Sequence, residues 1–151
     1  MSEINHRYLK DNDGNRYFPV THVEAVKGLE TLINDSGWTE FIPVNGNPNQ
    51  SFKGENDNGY DCSYRIIEIF DLKIKTVRIN LSDIGHNMLI YDFPENFSEE
   101  DQSWLIRTPF EFSPATISLR TNGGLSVGLP KKDRNDWGQN NYIYGSFTWI
   151  E

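Results

Sequence analysis

Ala115 to Leu129 reads ATISLRTNGGLSVGL. Ala115, Ile117 and Leu119 alternate with Thr116, Ser118 and Arg120, the period-two pattern of a strand with one buried face. Asn122-Gly123 turns the chain, because these residues accept the positive φ that a tight hairpin needs. Leu125, Val127 and Leu129 alternate again on the return. Pro130 has no N–H for a ladder and ends the strand.

Similar patterns flank this hairpin. Val77, Ile79 and Leu81 alternate with Thr76, Arg78 and Asn80, which predicts the first three inside and the last three facing water. Tyr60–Phe70, Asn87–Phe93 and Tyr142–Ile150 read as further strands, the last with Phe147 and Trp149 in phase. Trp38–Val44 reads as a first strand kept at an edge by Pro43. Trp38 and Trp149 are expected in the core. Asn45–Asn58 and Lys131–Asn141 are rich in polar and turn residues and read as loops. Ser98-Glu99-Glu100-Asp101 reads as an acidic, solvated patch. Seven or so short strands without βαβ alternation predict an antiparallel β-sandwich or barrel.

The N-terminal part differs. Two short β-prone runs flank Asn12-Asp13-Gly14, a hairpin signal. Asp11, Asp13 and Asn15 have calcium-loop spacing, but Arg16 stands where Gly is needed and His22 where a bidentate Glu is needed. Val20–Asn34, VTHVEAVKGLETLIN, carries a Thr21/Glu24 capping box and a stripe of Val23, Val26, Leu29, Leu32 and Ile33. So short a helix is marginal alone, and something must cover its stripe. Copies from neighbouring subunits and the β-domain of the same chain are both readings of that cover. The expected organisation is a hairpin and helical stalk over residues 1–36 and a β head over 37–151.

The chain has 151 residues, a net charge of −8 and one cysteine, Cys62. An acidic chain without a basic run is a poor partner for nucleic acid. A single thiol makes no internal disulfide, and a buried structural role is expected for it. No stretch has the length of a transmembrane helix, and the start lacks the apolar run of a signal peptide, so membrane insertion is not expected and synthesis in a cytoplasm is.

Common catalytic signatures are missing: neither Gly-x-Ser-x-Gly nor Gly-x-x-x-x-Gly-Lys occurs. The three histidines lack metal-ligand pairing, so no metal or other cofactor is expected. Glu95, Glu99, Glu100, Asp101, Asp133 and Asp136 are the carboxylates from which a glycosidase would draw a pair, but a non-enzyme is the expectation. Sugar chemistry remains. Aromatic faces stack on pyranose C–H faces, and planar polar side chains bond hydroxyls. Asp133, Arg134, Asn135, Asp136, Trp137 and Asn140 offer that combination in one loop, with Trp104 a further candidate ring. The competing reading is an ordinary polar turn whose Trp tucks under the domain edge.

Tyr8–Leu29, YLKDNDGNRYFPVTHVEAVKGL, resembles the N-terminal segment of baseplate and tail-fibre proteins from phages and prophages of Gram-positive bacteria. The remainder resembles their C-terminal head module: Gly37-Trp38 opens it, Phe93-Pro94-Glu95-Asn96-Phe97 stands at a Leu-Pro-x-Gly-Phe-like step, and TISLRTNGGLSV gives the late hairpin. Asn96 replaces the usual Gly, and Tyr60–Leu81 lacks the usual Gly between its two strands. The resemblance implies a homotrimer at the phage tail tip, held by a helical bundle and contacting other baseplate or tail proteins. It implies β heads that bind host cell-wall polysaccharide or teichoic acid. A structural module without its own sugar site and a glycan-cleaving tail enzyme are the alternatives. Three modest contacts on one rigid particle reinforce each other through effective concentration. The net acidity favours neutral or cation-bearing glycans over bare phosphate polymers.

Overall fold

A computed structural model describes residues 9–17 and 32–151 of the protein. The chain divides into two compact units, one reaching Leu32 and one running from Ile33 to Glu151. In the first unit, β1 (Leu9–Lys10) pairs antiparallel with β2 (Arg16–Tyr17). Gly14 turns the chain at φ +83°. The Asp11 carboxylate accepts the N–H groups of Asp13 at 3.0 Å and Asn15 at 2.8 Å, so it serves the turn.

None of the described residues is helical. Most of the expected helix, with Val23, Val26 and Leu29, lies outside the described residues. Its expected last turn is corrected. Leu32 is a bend, and Ile33–Asp35 form strand β3 on Ile67–Ile69. Ser36 extends this pairing: its N–H donates to Ile66 O and its hydroxyl accepts from Ile66 N–H. Ladder bonds to a seven-residue neighbour outcompete a frayed helix end before a turn sequence, and β-branched Ile33 suits a strand.

The second unit continues with β4 (Thr39–Glu40), β5 (Asn47–Pro48), β6 (Ser63–Ile69), β7 (Leu72–Ser82), β8 (Met88–Asp92), β9 (Gln102–Ile106), β10 (Ala115–Leu119), β11 (Gly124–Gly128) and β12 (Tyr142–Ile150). They build two antiparallel sheets. One has the order β12-β7-β6-β3, with β4 also on β6 and β5 on β7. The other has the order β8-β11-β10-β9. Val77, Ile79, Leu81 and Ile143 of the first share one core with Ile117, Leu119, Leu125 and Val127 of the second. The expected sandwich of antiparallel strands is present.

The β10–β11 hairpin pairs Leu119 with Leu125. Its loop is Thr121-Asn122-Gly123: Gly123 N–H donates to Arg120 O, and Gly123 has φ +95°. A Cβ there would lie 1.8 Å from Phe93 O, so the glycine also admits the neighbouring backbone. Asn96 has φ +61°, so the Asn in the Phe-Pro-Glu-Asn-Phe step occupies a backbone region that Gly fills without strain. Phe93 and Phe97 on either side stack at 4.0 Å.

Four expectations change. Trp38–Val44 is not one strand. After β4, Phe41 N–H donates to Cys62 O in one sheet and Val44 N–H to Ile90 O in the other, so this segment crosses the sandwich, with Pro43 at the crossing. Trp38 is 39% exposed and lies on the outer face of the six-stranded sheet, not in the core. Asn80 points outward as its alternation predicts, but is fully buried beneath the 49–60 loop. Ser98 is also buried and bonds Glu100 O and the Glu151 carboxylate, so only Glu99 and Glu100 of the acidic patch meet solvent freely. Asp101 pairs with Arg120.

The β6–β7 turn places Phe70 at φ +55° with its ring 74% exposed. A bulky residue in the left-handed region costs about 1 kcal/mol or more. Phe70→Gly is therefore expected to stabilise the domain by roughly 0.5–1 kcal/mol, read as a raised denaturation midpoint. A lowered midpoint would mean that the ring contributes packing the turn depends on.

Candidate functional site

The loop after β11 is tied down at its start. Asp133 is 8% exposed, and its carboxylate accepts from Ser113 N–H at 3.0 Å. Arg134 Nε donates to Leu129 O at 3.1 Å. Both residues therefore position the loop. Asn135 and Asp136 are exposed. Trp137 is half-buried, 5.0 Å from the Phe112 ring, and packs on the core's margin. Its Nε1 is buried and meets no acceptor among the described residues. Trp104 lies on β9, stacked on Phe147 at 3.5 Å and 5.6 Å from Trp149. Its ring joins the core margin and not the loop.

Asn140 is exposed and, with Gln139, forms one wall of a cleft of about 680 Å³. Asn47, Pro48, Gln50 and Ser51 form the facing wall, and Ser82 of β7 contributes to the lining. Four carboxamides and two hydroxyls meet there without one formal charge. Each carboxamide offers two donors and an acceptor, and each hydroxyl offers both roles. Such a lining matches the hydroxyls of a neutral sugar.

The cleft is built on fixed supports. Asp83 N–H donates to Gln139 O at 2.9 Å, holding the loop wall to the end of β7. Asn80 holds the other wall: its Oδ1 accepts from Ser51 N–H, and its Nδ2 donates to Ser51 O and Tyr60 O. Cys62 N–H donates to the Asn49 side chain at 2.8 Å. Gly59 N–H donates to Phe52 O at 2.8 Å, and a Cβ on Gly59 would lie 2.2 Å from that oxygen. Phe52 is thereby held at φ +57°, a strained conformation that places its ring between Tyr142 and Tyr144.

Sequence reading missed Asn47, Gln50, Ser51 and Ser82. Their only signal was the amide richness of Asn45–Asn58, because pairing of β5 with β7 brings them together from distant positions. Cys62 is fully buried, and burial raises its thiol to about 11, so it is not a nucleophile at neutral pH. Among the described residues no group of His, Cys, Asp and Glu is placed to hold a metal ion, and no helix is long and apolar enough to cross a membrane.

No protein-family model matches the chain, and no curated protein matches it.

Proposed function

We propose that this chain is a phage tail or baseplate protein whose β domain adheres to host cell-surface carbohydrate, acting as a homotrimer. The uncharged amide-lined cleft carries the reading, because its donors and acceptors suit a polyol and offer no acid or base for bond cleavage. The resemblance of Tyr8–Leu29 to tail-protein N-termini supplies the phage setting.

The test is glycan binding by the intact chain, followed by calorimetry on the best oligosaccharide. Gln139→Ala with Asn140→Ala is expected to weaken binding at least about tenfold, since each bound hydroxyl loses a hydrogen bond of roughly 0.5–1.5 kcal/mol. Unchanged affinity would remove the cleft as the site. Light scattering on the same preparation is expected to give three times 17.5 kDa; a monomer mass would refute the trimer.

One observation favours the reading as a structural module. The centre of the outer face of the four-stranded sheet presents Leu89, Ser103, Leu105, Thr116, Ser118 and Ser126, while exposed Asp92, opposite Gly124, sits at its end. Interface centres are depleted in charge. A protein that assembles normally but binds no glycan would support that reading.

A further inference from the structure

Strand β12 ends the six-stranded sheet, with β7 on one side only. Its phase is set by two backbone contacts. Glu151 and Lys73 exchange both N–H···O bonds, so Trp149 and Phe147, at two-residue steps, also turn toward β7. Tyr144 N–H instead donates away from β7, to Arg107 O at 3.0 Å. Ser146, Thr148 and Ile150 share the phase of Tyr144, and all three are exposed. Their N–H and C=O groups therefore point off the sheet, and no backbone group among the described residues meets them. The open length begins just after Gly145, where a Cβ would lie 2.9 Å from Ile106 Cγ1 of the other sheet.

Solvent-facing strand edges are ordinarily guarded by a charge, a proline or a bulge. Tyr142–Ile150 holds no charged residue and no proline, and its register on β7 runs without a bulge. Ile150 is 62% exposed on the outer face, and Trp104, half-buried, stacks on Phe147 along the core side. At the Ile150 end lies a hollow of about 240 Å³ lined by Glu99, Glu100, Gln102, Ile150 and Glu151. The Glu151 carboxylate is taken by Lys75 and by donors from Ser98, Glu99 and Trp149. The carboxylates of Glu99 and Glu100 pair with no cation among the described residues.

We propose that the open edge of β12 receives an extended segment of another polypeptide as an added antiparallel strand, with a Lys or Arg of that segment in the Glu99/Glu100 hollow. Backbone bonds to Ser146, Thr148 and Ile150 hold the strand, and its side chains select it. Directly opposite residues of paired strands face the same side. The segment's residues opposite Glu151, Trp149 and Phe147 therefore face the core side. The first is the basic one, at the hollow, and those two and four positions later are apolar, along the Trp104 side. The charge decides between occupants: a second copy offering its own β12 brings no Lys or Arg to the hollow. The open edge also stands apart from the cleft. Tyr142 pairs with cleft residue Ser82, whereas Ile150 pairs with Ile74 toward the other end of β7. The segment and a cleft ligand thus bind independently.

The experiment is a fluorescence anisotropy titration of the full chain against a labelled peptide, Thr-Thr-Lys-Thr-Val-Thr-Val-Thr, and two relatives. One relative has Glu for Lys. The other is N-methylated at the two threonines that face Ile150 and Thr148. The Lys peptide is expected to bind at least about tenfold tighter than the N-methylated one, which cannot donate to the edge. It is expected to bind roughly fivefold tighter than the Glu peptide, a gap that closes as salt rises. Glu99→Gln with Glu100→Gln is expected to erase the preference for Lys over Glu and to leave the N-methyl loss intact. Thr148→Pro removes an N–H that β7 does not use, and is expected to weaken binding at least about tenfold. In the wild type, the amides of Ser146, Thr148 and Ile150 are expected to exchange more slowly with the Lys peptide bound, a readout that needs no variant to fold. Equal binding of the Lys and N-methylated peptides overturns the proposal, as does unchanged exchange at those three amides. A preference for Lys that survives Glu99→Gln/Glu100→Gln also overturns it. So does a fall in solution mass on Thr148→Pro with an unchanged circular dichroism spectrum, which would put a second copy of the chain on the edge.

Discussion

Glu151→Gln is expected to cost the β domain about 3–5 kcal/mol at neutral pH, the range for breaking one partner out of a buried ion pair. Lys75 projects inward from β7, and both side chains of the pair are 6% exposed. Lys75 Nζ donates to Glu151 Oε2 at 2.5 Å and to Phe97 O at 2.6 Å. The other carboxylate oxygen accepts from Glu99 N–H, Ser98 Oγ and Trp149 Nε1, at 2.8, 3.0 and 2.8 Å. One carboxylate thus fastens the 97–100 segment to β7 and β12. Glutamine keeps some of these bonds but leaves an ammonium buried without its counter-charge.

Burial alone raises the Glu151 carboxyl, and the bonds from Lys75, Glu99, Trp149 and Ser98 overcome it, holding it down at about 2. A depressed carboxylate stabilises the fold above its ordinary value of 4.5 and loses that contribution as pH falls toward 2. The wild type is expected to lose about 3 kcal/mol across that window. Glu151→Gln is expected to lose less there, because it has no proton to take up. Denaturant unfolding at pH 7, 4 and 3 measures both. Wild type and variant within about 0.5 kcal/mol at pH 7 would show that the pair contributes nothing. Replacing both partners by Leu or Met is expected to restore most of the stability.

Asn80→Ala is expected to cost roughly 2–4 kcal/mol, since three backbone groups lose a part-buried partner. Its functional effect is the more telling one. Asn80 does not line the cleft, yet it anchors the loop that forms one of its walls. Hydrogen exchange of the 49–60 amides is expected to accelerate, and glycan affinity to fall with it. Asn80→Asp is expected to be no better, because a carboxylate accepts from Ser51 N–H but cannot donate to Ser51 O and Tyr60 O. Unchanged exchange in that loop would mean that Gly59 and Asn49 hold it without help.

The strands that are legible in the sequence carry their pattern locally. Val77, Ile79 and Leu81 alternate and are fully buried, and the Ile117–Leu119 and Leu125–Val127 arms meet in the register their turn implies. Asn80, Ser98 and Trp38 were misplaced because other chain segments decide their surroundings. Asn80 is covered by a loop thirty residues earlier, Ser98 by residue 151, and Trp38 has an arginine from β7 beneath it. Of the candidate sugar-binding loop, Gln139-Asn140 reach a cleft while Asp133 and Arg134 are spent on backbone groups. Composition does not distinguish a polar side chain facing a ligand from one facing its own backbone.

The crossings between sheets bear on crowding. Tyr144 N–H bonds Arg107 O where β12 and β9 meet, and Val44 and Asn45 bond the free side of β8. The remaining flank of the larger sheet holds strands of only two or three residues. An open strand edge is a template on which another chain can add, and long flat edges zip proteins into aggregates. Here the short flank strands present little ribbon, whereas the edge of β12 is tied to the other sheet at one bridge, Arg107–Tyr144, and is otherwise unpaired among the described residues. Backbone addition by a second chain would therefore begin on the open length of β12 and not on the two- and three-residue strands of the opposite flank.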